Sequence, residues 1–218
     1  MGENPSNVYL VGAPGLDDLL NEPKISKDAL EKELGVKLKQ NIIVVLQHPL
    51  STSPKTSQAE IKETLAAVSK FEGTKIIIYP NGDVGSDLII AEINKYKGKK
   101  DFVIFKNIQR NIYANILRIA DVFVGNSSGG IIETASFGLP TVNIGIRQFG
   151  RERNNNIFDV DHDKEKITKI LNRIFKNKIR YTGKNLYGDG KSAKKIVTVL
   201  ENIDLGFDVI QKHFYEKN

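Results

Sequence analysis

The chain has 218 residues, 40% of them apolar and 27% charged, a composition typical of a folded globular protein and not of a disordered one. It has no cysteine, which excludes disulfides, thiolate metal sites and cysteine nucleophiles. The net charge is +6. Most of the basic residues alternate with acidic and apolar residues at helical spacing, without clustered aromatic residues, so they predict a solvated face rather than a nucleic-acid groove.

No apolar run approaches the roughly 20 residues that a membrane-spanning helix needs, and the first residues lack the basic-then-apolar pattern of a signal peptide. We therefore expect a cytoplasmic protein with no membrane partner.

Short runs rich in valine and isoleucine alternate with longer amphipathic segments along most of the chain. The runs predict strands at 8–12, 42–47, 75–80, 101–105, 121–125 and 140–144. The amphipathic segments predict helices at 26–34, 57–71, 84–97, 110–119 and 129–137. Ser57 and Glu60 have the spacing of a capping box, which favours a helix start at Ser57.

This alternation predicts an α/β fold with a Rossmann-like, doubly wound parallel sheet, built from right-handed βαβ units. From about residue 163 the pattern changes to lysine-rich helices at 163–177 and 189–217, which we expect to pack over the sheet as terminal helices. Because the chain shows no repeat and no clear linker, residues 1–218 are interpreted as a single domain.

In a sheet of this kind, ligands bind beyond the carboxyl ends of the strands. Asn126, Ser127, Ser128 and Gly129 follow one predicted strand there and open a helix. Exposed backbone N–H groups and two hydroxyls at a helix N-terminus suit an anion such as a pyrophosphate. The alternative is that the polar side chains only cap the helix.

Glu133 lies about one helical turn beyond Gly129, so its carboxylate can point back toward the start of the helix. Its neighbours are mostly apolar, which makes a solvated surface role less natural. A carboxylate that accepts hydrogen bonds from a ribose diol would explain this position. The alternative is a glutamate that caps the helix or forms a salt bridge.

Three further groups follow predicted strands. His48 stands at a strand end before a proline, where a histidine can exchange protons at neutral pH or simply be satisfied by backbone. Asn81 and Asp83 lie in a segment that, taken alone, reads as a turn. Arg147, with Arg151 four residues later, can hold phosphate oxygens or be surface charge.

The remaining histidines, His162 and His213, lie in polar contexts and are assigned no role. The three histidines are far apart and have no partners at ligand spacing, so the sequence predicts no metal site.

Four motifs together resemble the UDP-N-acetylglucosamine 2-epimerase family, and they occur in the family's order. They are QHP at 47–49, YPNGDVGS at 79–86, VGNSSGGIIE at 124–133 and NIGIRQFGRER at 143–153. The resemblance covers almost the whole chain and is closer to the hydrolysing branch. It implies the second of two Rossmann-like halves that face each other in the glycosyltransferase-B arrangement, with the N-terminal catalytic half absent.

The resemblance also implies roles for individual residues. Ser127, Ser128 and the Gly129 turn would bind the diphosphate of UDP, and Glu133 would hold the ribose hydroxyls. Arg147 would reach a phosphate or the sugar. The backbone near Ile108 would read the edge of the uracil. His48 would stand near the reacting sugar as a catalytic residue, with Asn81 and Asp83 in its neighbourhood.

The implied reaction converts UDP-N-acetylglucosamine, or a related UDP-sugar, to UDP and a free 2-epimerised sugar of the N-acetylmannosamine type. It serves pathways to sialic-acid-like sugars and needs no cofactor. The partner would be the N-terminal half of the same enzyme, in cis or in trans, and a homo-oligomer stays open. The alternatives are a non-catalytic nucleotide-sugar binding module and the donor half of a glycosyltransferase.

Overall fold

The computed structural model describes residues 2–204, 206, 214 and 215. The chain divides into two compact units, of which the larger is Glu22–Leu186. The smaller combines Met1–Asn21 with Tyr187–Asn218. Every residue predicted for the functional site lies in the larger unit.

The larger unit contains a six-stranded sheet in which all paired strands are parallel. Its strands are β1 Ile43–Leu46, β2 Lys75–Ile78, β3 Phe102–Phe105, β4 Val122–Gly125, β5 Thr141–Ile144 and β6 Ile157–Val160. They lie in the order β3-β2-β1-β4-β5-β6, the strand order of a Rossmann fold. The predicted doubly wound parallel sheet is therefore confirmed.

Both faces of the central strands are buried, as their continuous valine and isoleucine content predicts. In β1, for example, Ile43, Val44 and Val45 are all at most 1% exposed. Ile43 and Val45 point to one face and pack with Ile61 and Leu65 of a covering helix. This two-sided burial holds the carboxyl ends of the strands in fixed positions.

Helices cover the sheet and connect its strands. Their bounds are α1 Gly15–Asn21, α2 Lys27–Leu34, α3 Ser57–Val68, α4 Ser86–Asn94, α5 Arg110–Ile119, α6 Ser128–Ile132, α7 Lys164–Asn177 and α8 Ser192–Asn202. Local capping accounts for several ends. Ser26 and Asp163 accept hydrogen bonds from backbone N–H groups at the starts of α2 and α7, and Gly35, whose φ is +68°, caps the end of α2.

The two terminal helices lie in different units. α7 packs against α3 and beside β5 and β6, which agrees with the prediction of a helix over the sheet. In the smaller unit α8 packs against α1, and the Asp17 carboxylate of α1 accepts hydrogen bonds from the N–H groups of Ser192 and Ala193 at 2.9 and 2.6 Å. α8 ends at Asn202, and most of the rest of the predicted helix 189–217 lies outside the described residues.

The prediction of a strand at 8–12 is wrong. Residues 8–12 form no strand, and Val8 and Leu10 are 62% and 96% exposed. An apolar run becomes a strand only where a neighbouring strand bonds its backbone, and the described sheet does not include this segment. Conversely, β6 is a strand that was not predicted from the sequence.

Two predicted helix features are also corrected. α3 begins at Ser57, but Ser57 is not its cap, because Thr56 holds that position and its hydroxyl contacts Glu60 Oε1 at 2.7 Å. The helix predicted at 129–137 breaks at Glu133 into α6 and a 3₁₀ turn, Thr134–Phe137. The Thr134 hydroxyl is bound to Thr141 and Asn156, so tertiary contacts override the helical pattern there.

Candidate functional site

The candidate site lies where the strand order reverses, between β1 and β4. Gly125 ends β4 with a φ of +140°, and a Cβ atom on it would lie 2.1 Å from the carbonyl oxygen of Leu46 at the end of β1. Only glycine permits this close approach. The residues that follow the two strands, His48 and Asn126, are therefore brought into direct contact.

His48 is held at both its backbone and its ring. Its N–H donates to Asn126 Oδ1 at 2.7 Å, and its ring Nδ1 lies 2.7 Å from Asn81 Oδ1. The backbone N–H of Asn81 lies 3.3 Å from the same Nδ1, so Asn81 holds this side of the ring in place through two contacts. Burial lowers the pKa of His48, and the Arg147 charge lowers it further. The imidazole is therefore neutral at pH 7 and can accept a proton.

Arg147 lies between two parts of the site. Its Nη1 donates to the carbonyl oxygen of Asn126 at 3.4 Å, and its Nη2 lies 3.7 Å from Asp83 Oδ2. The structure thus brings together His48, Asn81, Asp83 and Arg147, which come from the loops after β1, β2 and β5. The turn that contains Asn81 and Asp83 is part of this cluster.

Ser127 caps α6, the alternative that the sequence analysis left open. Its Oγ accepts a hydrogen bond from the N–H of Gly129 at 3.3 Å, and its carbonyl accepts one from Gly130 at 3.1 Å. The Ser127 hydroxyl can still donate its proton, as can that of the half-buried Ser128. Because α6 has only five residues, its dipole is weak, so an anion here would depend on these local donors.

Glu133 points back toward the start of α6, as predicted. A Cβ atom on Gly129 would lie 2.7 Å from Glu133 Oε2. The same oxygen accepts a hydrogen bond from the Tyr113 hydroxyl at 3.0 Å. Burial raises the pKa of Glu133, against the opposing effects of the Tyr113 hydrogen bond and the Arg110 charge. Burial and the Glu133 charge raise the pKa of Tyr113 well above its ordinary value, so its phenol stays protonated and donates.

Two residues of this site were missed by sequence reasoning. Tyr113 contacts Glu133 from α5, and no motif or spacing signalled that pairing. Asn126 was predicted only as a member of the polar turn that could bind an anion or cap the helix, whereas its amide binds the backbone of His48 through both Oδ1 and Nδ2. A polar residue directly after a buried strand was the available signal for Asn126.

The remaining predicted residues lie at the margins. Ile108 is in the loop between β3 and α5, where its N–H donates to Asn107 Oδ1 at 2.9 Å. Arg153 forms an ion pair with Asp159, with Nε 3.0 Å from Oδ2. Arg151 is exposed and lines a cavity of about 700 Å³ with Phe149 and other residues of the loop after β5. Residues of β6 and α7 complete the lining of that cavity, which includes Arg151 and Arg153 but not Arg147.

Within the described part of the chain, no group of three histidine or acidic residues is arranged to hold a metal ion. Among the same residues, no helix is long and apolar enough to cross a membrane.

Comparison with known proteins identifies relatives along the whole chain. The chain is 34% identical over 213 residues to a hydrolysing UDP-N,N'-diacetylbacillosamine 2-epimerase of Legionella pneumophila, which covers 97% of this chain and 56% of the relative. It is 31% identical over 225 residues to a hydrolysing GDP/UDP-N,N'-diacetylbacillosamine 2-epimerase of Campylobacter jejuni, covering 99% and 57%. The chain thus spans little more than half the length of these relatives.

Solved structures show the same fold. The UDP-GlcNAc 2-epimerase of Neisseria meningitidis bound to UDP-GlcNAc matches with a TM-score of 0.73 at 17% identity, over 92% of this chain and 57% of that one. The enzyme of Methanocaldococcus jannaschii in complex with UDP-GlcNAc and UDP matches with a TM-score of 0.69 at 16% identity, over 92% and 56%. The fold is therefore one half of the two-domain arrangement of these proteins.

The family described as UDP-N-acetylglucosamine 2-epimerase matches residues 1–201 of the chain. This match covers the whole sheet and the candidate site, and the chain therefore belongs to the UDP-N-acetylglucosamine 2-epimerase family.

Proposed function

We propose that this chain is the UDP-binding half of a hydrolysing UDP-N-acetylglucosamine 2-epimerase. Its substrate is UDP-N-acetylglucosamine or a related UDP-sugar, and its products are UDP and the free 2-epimerised sugar of the N-acetylmannosamine type. The observation that carries the proposal is the arrangement at the β1–β4 switch point. There the hydroxyls of Ser127 and Ser128, the Glu133 carboxylate beside Gly129 and a neutral His48 all belong to one strand-end cluster.

Each part of UDP has a proposed partner in this cluster. The hydroxyls of Ser127 and Ser128, at the Gly129 turn, donate to the diphosphate. Glu133 accepts hydrogen bonds from the ribose diol, for which its acceptor oxygens beside Gly129 are suited. Arg147, which contacts Asn126 next to Ser127, reaches a phosphate or the sugar. The backbone near Ile108 reads the edge of the uracil once Asn107 releases its N–H.

The proposed reaction has two steps. A base first removes the proton on C2 of the sugar while the C1–O bond breaks, so UDP leaves with the electron pair and a glycal forms. Water then adds its hydroxyl at C1 and a proton returns to C2 from the opposite face, which gives the free epimer. Donors at the diphosphate stabilise the charge that develops on the leaving UDP. His48 exchanges a proton near the sugar, with Asn81 and Asp83 beside it.

The relatives are nearly twice as long as the portion that this chain matches, and we propose that an N-terminal half, in cis or in trans, supplies the acidic catalytic groups. The proposal places the whole chain in the role of one nucleotide-sugar binding half, active only with that partner. A cytoplasmic location, a sialic-acid-like product pathway and assembly into a homo-oligomer belong to the same proposal.

Calorimetry of the chain with UDP tests the binding half of the proposal directly, and an absence of binding would refute it. Turnover is tested by adding the N-terminal half of a family member and following UDP release in D₂O. We expect the free sugar to carry deuterium at C2, because that proton is lost and replaced from solvent. UDP binding without turnover in any such pairing would leave a binding module. Release that depends on an acceptor sugar would instead identify a glycosyltransferase.

A further inference from the structure

Asn126 connects three loops of the candidate site, although none of the proposed substrate contacts is assigned to it. Its side chain is 1% exposed and lies between Gly125, where β4 ends, and Ser127, which caps α6. Its Nδ2 donates to the carbonyl oxygen of His48 at 2.9 Å, and its Oδ1 accepts from the N–H of His48 at 2.7 Å. The amide thus holds both backbone groups of one residue, 78 positions earlier in the chain.

The backbone of Asn126 makes a second connection. Its carbonyl oxygen accepts hydrogen bonds from Gln148 Nε2 at 2.8 Å and from Arg147 Nη1 at 3.4 Å. Gln148 is 2% exposed, so this contact is shielded from water. The loop after β5 is therefore attached to the same residue that holds His48.

These contacts fix a geometric relation between the corner proposed for the diphosphate and the histidine proposed near the sugar. Ser127 follows Asn126 directly, so a displacement of that corner is passed to His48 through the two hydrogen bonds of the buried Asn126 amide. The His48 ring is oriented by Asn81, and Asp83 and Arg147 are the charged groups that act on it.

We propose that Asn126 is a positioning residue that sets the place of His48 relative to the diphosphate corner. This inference rests on the proposed function of the site. Asn126 does not touch the reacting atoms, and it acts by holding the backbone of His48 and the loop that carries Arg147. Misplacement of a reacting group by about 1 Å costs roughly 100-fold in rate, which sets the size of the expected effect.

Asn115 offers a control, because it is another buried asparagine whose amide bonds distant backbone, at a place away from His48. Its Oδ1 accepts from the N–H of Ile25 at 3.1 Å, and its Nδ2 donates to the carbonyl oxygen of Pro23 at 2.9 Å. Asn115→Ala removes these two backbone hydrogen bonds, together with contacts to Asn111 and Arg118, without touching His48. Asn126→Ser is a second test variant, which keeps a polar side chain in case Asn126→Ala does not fold.

The first measurement is the titration of the His48 ring by ¹H–¹⁵N NMR on the chain without ligand. In the wild type we expect the pKa of His48 below the ordinary value of about 6.5, as its burial requires. In Asn126→Ala and Asn126→Ser the pKa of His48 should move toward that ordinary value, while Asn115→Ala leaves it unchanged. An unchanged His48 titration in a folded Asn126 variant would overturn the proposal.

The second measurement uses the reconstituted enzyme and calorimetry with UDP. Asn126→Ala should lower kcat roughly 100-fold and leave the dissociation constant of UDP within about threefold. If Asn115→Ala lowers kcat equally, Asn126 has only a structural role and the proposal fails. If wild-type chain binds no UDP, the proposed function fails, but the ligand-free NMR titration still decides whether Asn126 positions His48.

Discussion

Gly129→Ala is expected to separate the proposed ribose contact from the stability of the fold. The added Cβ atom would lie 2.7 Å from Glu133 Oε2 and 3.1 Å from the Tyr113 hydroxyl. The first distance is shorter than a carbon and an oxygen tolerate, so the carboxylate must move away from the start of α6. Because that carboxylate is the end of a flexible side chain, the backbone itself need not shift.

The cost to folding should be small. Displacement of Glu133 weakens its hydrogen bond with Tyr113, and a hydrogen bond to a charged group contributes about 1.5–3 kcal/mol. Alanine is favoured over glycine in a helix by about 0.8–1 kcal/mol, which offsets part of that loss. We therefore expect a net destabilisation of roughly 0.5–2 kcal/mol, measured by urea unfolding.

The cost to UDP binding should be larger and specific. Loss of a charge-assisted contact of about 1.5–3 kcal/mol with the ribose corresponds to a dissociation constant raised roughly 10- to 150-fold. The affinity for inorganic pyrophosphate, measured by the same calorimetry, should stay within about threefold because it involves no ribose. A folded Gly129→Ala protein that binds UDP as tightly as the wild type would refute the assignment of Glu133 to the ribose.

Gly130→Ala provides the control, one residue further along. Its Cβ atom would meet Phe123 Cε1 and Thr141 Cγ2, both at 3.0 Å, in the core under α6 and not at Glu133. Such overpacking costs about 1–3 kcal/mol of stability. We therefore expect Gly130→Ala to lose stability while the folded protein keeps its affinity for UDP, the reverse of the pattern for Gly129→Ala.

Three further variants test the diphosphate, ribose and sugar contacts of the site. Ser127→Ala combined with Ser128→Ala should weaken the binding of both UDP and pyrophosphate by a few kcal/mol at most, because each charge-assisted hydrogen bond contributes about 1.5–3 kcal/mol. Unchanged calorimetric affinities would contradict the assignment of these serines to the diphosphate. Glu133→Gln should weaken UDP binding more than pyrophosphate binding. Because burial raises the pKa of Glu133, the stabilising contribution of this residue is present at low pH and is lost as the pH rises through that pKa. Glu133→Gln should remove this loss of stability from a plot of Tm against pH. Identical plots for the two proteins would argue against the raised pKa of Glu133. His48→Ala should leave UDP binding intact and abolish turnover in the reconstituted enzyme, and a wild-type rate would remove His48 from the mechanism.

The strands show how far apolar runs alone predict a fold. Five of the six strands were predicted because each is a continuous apolar run, and in β1 and β2, for example, the run is buried on both faces. Strand β6 was missed because Asp159, which is exposed, interrupts its short apolar run, whereas the other edge strand, β3, is an unbroken apolar run. The run at 8–12 has the composition of a strand, but pairing depends on a neighbour that composition does not reveal.

The position of each candidate residue at a strand end was predictable from the sequence. His48, Asp83 and Arg147 each follow an apolar run, and the topology of a parallel sheet brings such ends to one edge. The contacts between them were not predictable. Asn126 forms hydrogen bonds with the backbone of His48, 78 positions away, and Tyr113 forms one with Glu133, 20 positions away. Both pairings depend on tertiary packing that no local sequence pattern encodes.

Glu133 and Glu31 differ in their hydrogen-bond partners, and the difference bears on the proposed ribose contact. Glu31 is also shielded from water, but it accepts hydrogen bonds from Lys37 Nζ at 2.6 Å and from the N–H of Leu38 at 2.9 Å, and these lower its pKa. Glu133 instead accepts from the neutral phenol of Tyr113, and burial outweighs that bond and the Arg110 charge, so its pKa is raised. Further hydrogen bonds to Glu133 would favour its charged form, and the two hydroxyls of a ribose are donors of the required kind.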